Sequence, residues 1–161
     1  MRLRIRFSFL LLNAVMFLLR SSRLILCFYA VSVMHELGHA AAVYLSGGRI
    51  TALELSGFGI MMESEQPGNT AAEAAVLLAG PFVNLAAAGI SAISGHYGAF
   101  MQLSLTAGIY NLLPYPGLDG GSLAELFITG SPAERGLRLL LLIVRIAVAA
   151  AGGLIFLCTV V

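Results

Sequence analysis

Apolar residues run along this chain in blocks, and polar positions fall between the blocks or, in a few places, inside them. Phe7 to Leu19 is the first block, short for a bilayer crossing but flanked by arginines that snorkel, which predicts a tilted helix or one in a thinned membrane. Arg20 to Arg23 turns the chain into a second block, Leu24 to Leu45, which stops at the paired glycines of Ser46-Gly47-Gly48. From Arg49 to Glu65 the period changes to two. Leu53 and Leu55 alternate with Glu54 and Ser56, then Ile60 and Met62 alternate with Gly59 and Met61, which predicts two strands joined at Ser56-Gly57. Gln66 to Asn69 is a turn, and Thr70 with Glu73 three residues on reads as the cap of a long apolar helix, Ala71 to Ile93, interrupted by Pro81. Ser94 to Gly98 is a turn holding His96, and Ala99 to Leu113 is a further helix. Two prolines and three glycines break Pro114 to Gly121, and Ser122 to Phe127 is a short helix after Asp119. Ser131 caps and Pro132 opens the last helix, whose apolar span is Leu137 to Val161. Arg145 within it is either a functional intramembrane charge or, the favoured reading, a snorkelling side chain near the membrane border, and Gly152-Gly153 reads as a close helix contact.

This pattern predicts an all-α integral membrane protein, a bundle of about five to six transmembrane helices with a small membrane-associated β-hairpin after the second. The expectation is one domain over residues 1–161, with a motif core over about 24–128 and no soluble regulatory domain. Because open strand edges cannot face lipid, the hairpin belongs against protein, at the interface or beside a water-filled cavity. Composition agrees, since 59% of the residues are hydrophobic and 11% charged, with a mean hydropathy of +0.94. The expected location is the cell membrane, as a multi-pass protein. All nine basic residues are arginines at the block borders, on both sides, so charge does not orient the chain. They form no basic face joined to stacking aromatics, which argues against nucleic acid as a partner. Cys27 and Cys158 lie in apolar segments and read as small buried hydrophobes. The amino terminus lacks a small-residue cleavage pattern and reads as retained.

Within the second block stands His35-Glu36-Leu37-Gly38-His39. On a helix the two histidines are one turn apart and lean the same way, so both imidazoles reach one metal, while Glu36, about 100° around the axis, reaches a water beside it. Chance gives this spacing in roughly 0.2% of shuffled chains of this composition. An amphipathic surface helix is also excluded, because the flanks Cys27 to Val31 and Ala40 to Leu45 offer no polar face. An ionisable cluster inside an apolar span marks function. Catalytic zinc takes three protein ligands, and the candidates for the third are Asp119, Glu73, His96, Glu54, Glu63 and Glu65. Asp119 is strongest, being a carboxylate in Pro/Gly-broken backbone at membrane level, costly to bury without a cation. Asn84 is either a helix-packing amide or a catalytic group.

Three motifs in order, His35 to His39, then Gly80-Pro81-Phe82-Val83-Asn84, then Asn111 and Pro114 leading into Leu118-Asp119-Gly120-Gly121, resemble the site-2 protease family of intramembrane zinc metalloproteases. The intervening strands and the extra last helix are similar to its compact sporulation-type bacterial branch. The resemblance implies one zinc ion held by His35, His39 and Asp119, Glu36 as general base, and Asn84 assisting substrate or oxyanion binding. It further implies cleavage of a single-span membrane protein, a membrane-tethered transcription factor precursor being one such substrate, and a membrane regulatory partner. The hairpin, Ile50 to Met62, is expected to receive the unwound substrate as an added strand along Leu53 and Leu55. The competing reading is a membrane metal transporter or metal-binding protein that uses the same ligands without hydrolysis.

Overall fold

In the computed structural model, which describes residues 2–18, 22–56, 59–65 and 68–160, helices stand where the apolar blocks do. They are α1 (Phe7–Leu18), α2 (Ser22–Leu45), α3 (Thr70–Ile93), α4 (Ala99–Asn111), α5 (Asp119–Ile128) and α6 (Glu134–Val160). The strands are β1 (Arg2–Ile5), β2 (Arg49–Ser56) and β3 (Gly59–Glu65). The chain divides into two compact units, Met1–Asn111 and Leu112–Val161. The expected turns Arg20 to Arg23, Ser56-Gly57 and Gln66 to Asn69 fall partly, at residues 20–21, 57 and 66–67, outside the described residues, as do the surroundings of Gly152-Gly153 and the side chain of Cys158.

In the first unit α2 packs on α3 and α4, and β3 lies against α2. A Cβ on Gly38 would sit 2.8 Å from the Ala79 carbonyl oxygen, so α2 and α3 touch backbone to backbone at the pentapeptide. At 24 residues each, α2 and α3 are about 36 Å long, enough for a hydrocarbon core of about 30 Å. Among the described residues these two helices are long and apolar enough to cross a membrane. Leu26, Leu37, Tyr44, Phe82, Ile90 and Ile93 remain exposed along them, more uncovered apolar surface than a water-soluble helix pair carries.

The expected hairpin is part of a three-stranded sheet in the order β1-β2-β3. β2 and β3 pair antiparallel, Leu53 opposite Met62 and Leu55 opposite Ile60, and β1 adds in parallel, Arg4 beside Glu54 and Ile5 beside Leu55. This corrects the description of the fold as helices plus a hairpin. Arg2, Arg4 and Arg6 alternate with Leu3 and Ile5, a strand pattern that their resemblance to a membrane-border cluster conceals. Their charge is used locally: Arg6 pairs with Glu54, and Arg4 Nη1 lies 2.8 Å from Glu63 Oε1. β2 is therefore the central strand, with neighbours on both sides. A peptide cannot be added along Leu53 and Leu55, so the strand-addition expectation moves to an outer edge.

Several element ends differ from expectation. The cap of α3 is Asn69, whose side chain accepts the Ala71 N–H at 3.0 Å, rather than Thr70. α4 ends at Asn111, ahead of Pro114, whose ring disfavours helix in the residue before it. α5 begins at Asp119 rather than Ser122, taking in Gly120 and Gly121.

In the second unit α5 packs on α6. α6 begins at Glu134, two residues beyond the start expected at Pro132, so Ser131 does not cap it. In the turn before it the Ser131 Oγ accepts the Ala133 N–H at 3.3 Å, while the Glu134 carboxylate accepts the Gly130 N–H at 3.1 Å. The Arg138 guanidinium, then the Gly130 N–H, holds the Glu134 carboxyl below the usual carboxylate range.

Candidate metal centre

One turn of α2 brings His35 and His39 together, each only 8% exposed, with their Nε2 atoms 3.1 Å apart. α3 organises both rings from behind. Val76, Gly80 and Asn84 fall at i, i+4 and i+8 on α3 and are all buried, forming one stripe. The Val76 carbonyl oxygen lies 2.7 Å from His39 Nδ1. A carbonyl only accepts, so His39 Nδ1 carries the proton and its Nε2 presents a lone pair. The Asn84 side-chain amide, 1% exposed, lies 3.1 Å from His35 Nδ1. That contact is made by the amide nitrogen, Nδ2, which donates to Nδ1, so His35 Nε2 carries the proton and donates to His39 Nε2.

The two Nε2 atoms share one proton across 3.1 Å, and a cation at their meeting point would take its place. Tetrahedral zinc with nitrogen ligands at about 2.0–2.1 Å separates two of them by about 3.3 Å. The pair therefore fits zinc in donor type and separation. Gly80 makes the approach possible, because a Cβ there would stand 2.8 Å from His35 Cε1 and press harder still on His39 Nε2. Glu36 is half-buried beside the pair on α2.

The other candidate ligands separate by position. Glu54 and Glu63 are engaged by Arg6 and Arg4 within the sheet. Glu73 is exposed in the first turn of α3, and His96 is exposed in the turn before α4. Asp119 belongs to the second unit, half-buried in the first turn of α5. The segment before it lies across that turn: a Cβ on Gly120 would sit 2.8 Å from the Leu113 carbonyl oxygen, and one on Gly121 would overlap the Tyr115 carbonyl. Only glycine permits this contact at either position. The Val76 carbonyl escaped sequence reading because a backbone acceptor has no residue type. Its signal is spacing, four residues before Gly80 and eight before Asn84.

A helix-borne His-Glu-x-x-His pair backed by a Gly-x-x-x-Asn helix, beside a small sheet, is the architecture of a site-2 protease fold. The chain matches the Site-2 Protease from Methanocaldococcus jannaschii with a TM-score of 0.70 over 81% of this chain and 68% of that one, at 20% identity. In sequence it is 36% identical over 115 residues to Stage IV sporulation protein FB of Bacillus subtilis (strain 168), covering 65% of this chain and 40% of that protein. The chain thus spans about two fifths of that relative's length. The structural likeness shows the fold, and the sequence likeness is to a sporulation protein. No family model matches the chain.

Proposed function

We propose that the chain is a multi-pass membrane zinc endopeptidase that cuts a single-span membrane protein in or near its transmembrane segment, in regulated intramembrane proteolysis. The observation that carries this reading is the buried His35/His39 pair, its outer nitrogens engaged by Val76 and Asn84 and its inner nitrogens converging, on an apolar helix long enough to cross a bilayer. His35 and His39 supply two ligands and Asp119 the third. Zinc bound there supplies Lewis acidity, polarising a carbonyl oxygen and making water acidic enough to react near neutral pH. The Glu36 carboxylate takes the proton from the attacking water and hands it to the departing amine. Asn84, buried against His35 Nδ1, holds that ring's orientation. The apolar walls of α2 and α3 lower the local dielectric and strengthen each of these interactions.

Purified full-length protein is expected to hold about one zinc per chain and to cut a single-span substrate in lipid vesicles only when loaded. His35→Ala/His39→Ala should hold none above background. Zinc bound stoichiometrically by that double variant would refute the site.

A transmembrane substrate has its peptide bonds shielded in its own helix, so it needs an external ladder once unwound. The outer edge of β3 supplies one, since β3 lies against the motif-bearing α2 while β2 is paired on both sides. Alternate residues of an edge strand point their N–H outward. Of the separate variants Met61→Pro and Met62→Pro, the one that removes an outward N–H should slow cleavage of a transmembrane substrate at least about tenfold while sparing an already extended peptide. Full transmembrane cleavage by both variants would exclude the β3 edge.

A further inference from the structure

Arg145 does not snorkel. Its side chain, 20% exposed, turns inward within the second unit, Nε donating to the Pro114 carbonyl and Nη2 3.5 Å from Glu125 Oε1. The Tyr115 hydroxyl donates to the Arg145 carbonyl, so loop and helix grip each other reciprocally. Glu125 is shared with Arg138, whose Nη1 donates to it at 2.8 Å. A guanidinium presents a planar fork, and here it joins three pieces of chain: the 114–115 loop, α5 through Glu125, and its own α6. The same loop is the surface on which Gly120 and Gly121 rest, Leu113 and Tyr115 offering the carbonyls that leave no room for a Cβ. Asp119 is the residue before those glycines. The contacts therefore run from Arg145 to Pro114 and Tyr115, from the carbonyls of Leu113 and Tyr115 on either side of Pro114 to the first turn of α5, and so to Asp119.

We propose that Arg145 is a positioning residue for Asp119, fixing the loop against which the first turn of α5 is seated and thereby the affinity of the site for zinc. The inference rests on the reading that Asp119 is a zinc ligand, and the experiment separates the two. Zinc affinity of the full chain in detergent is measured by competition with a chromophoric chelator for wild type, Arg145→Gln, Arg145→Lys, Asp119→Ala and the double variant Asp119→Ala/Arg145→Gln, with thermal unfolding of the zinc-free proteins in parallel. Arg145→Gln should weaken zinc at least about tenfold, the range seen when an outer-shell partner of a metal ligand is lost. Arg145→Lys keeps the charge but replaces the fork by a point donor, and should recover only part of that affinity. The double variant should bind zinc no more weakly than Asp119→Ala alone, because the arginine acts through the aspartate.

Unchanged zinc affinity in Arg145→Gln, with only a lower unfolding temperature, would overturn the positioning role and leave a structural one. Losses that add in the double variant would overturn it too, since they place the effect elsewhere. If Arg145→Gln fails to fold, Arg145→Lys decides by the same criterion, with affinity equal to wild type counting against the proposal. Zinc affinity unaltered in Asp119→Ala would instead remove the underlying reading, whatever Arg145 does.

Discussion

Glu36→Gln should keep its zinc and lose proteolysis, with turnover falling by about 10³-fold or more, toward the upper end of what a positioned general base contributes. The two side chains are nearly the same size, so the half-buried position on α2 stays filled and the His35/His39 geometry is undisturbed. What changes is proton affinity, since an amide cannot take the proton of the attacking water. Zinc content and single-turnover cleavage, measured on one preparation, check both halves. This variant also separates the protease from a metal transporter built on the same ligands, because transport needs no general base. A Glu36→Gln protein that still cuts would remove the hydrolytic assignment, and one that loses zinc would turn Glu36 into a ligand.

Asp119→Ala should have the opposite signature. Zinc affinity should fall by at least about 100-fold, the upper limit for losing an outer-shell partner, because here a ligand itself is lost. Cleavage should recover in part as free zinc is raised, which no zinc concentration achieves for Glu36→Gln. Alanine is small, and it leaves the Gly120 and Gly121 contacts with Leu113 and Tyr115 intact, so the effect reads the carboxylate rather than the fold. Competition titration measures it directly. Affinity within a factor of two of wild type would mean that the third ligand is another group.

The parts of this molecule that are legible in the sequence are the local ones. His35 and His39 are four residues apart, and helical geometry alone makes them meet. The long apolar blocks could only be helices, and period-two alternation marked β2 and β3. Asp119 stood out because a carboxylate in broken backbone among apolar residues needs a reason. What the sequence hid depends on contacts distant in the chain. β1 pairs with β2 across about fifty residues, and its arginines resemble a border cluster until Glu54 and Glu63 are seen opposite Arg6 and Arg4. Asn84 meets His35 across 49 residues, a separation that makes it a partner of the ring. Arg145 lies within α6 as expected, but of its two readings the favoured snorkelling one fails, since nothing local reveals that the Pro114 carbonyl, 31 residues earlier, accepts from it. The capping shift from Thr70 to Asn69 is a one-residue competition between two good caps, settled by which side-chain oxygen reaches a free N–H.

The central claim is that a zinc-dependent bond cleavage happens at membrane depth, on the α2 pair. It is tested most directly by reconstituting the full chain with a single-span substrate in lipid vesicles and mapping the cut by mass spectrometry, with and without a zinc chelator. The account predicts new termini within or at the edge of the substrate's apolar span, absent after chelation and restored by added zinc. Termini confined to the soluble flanks, or a cut that survives removal of zinc, would contradict it.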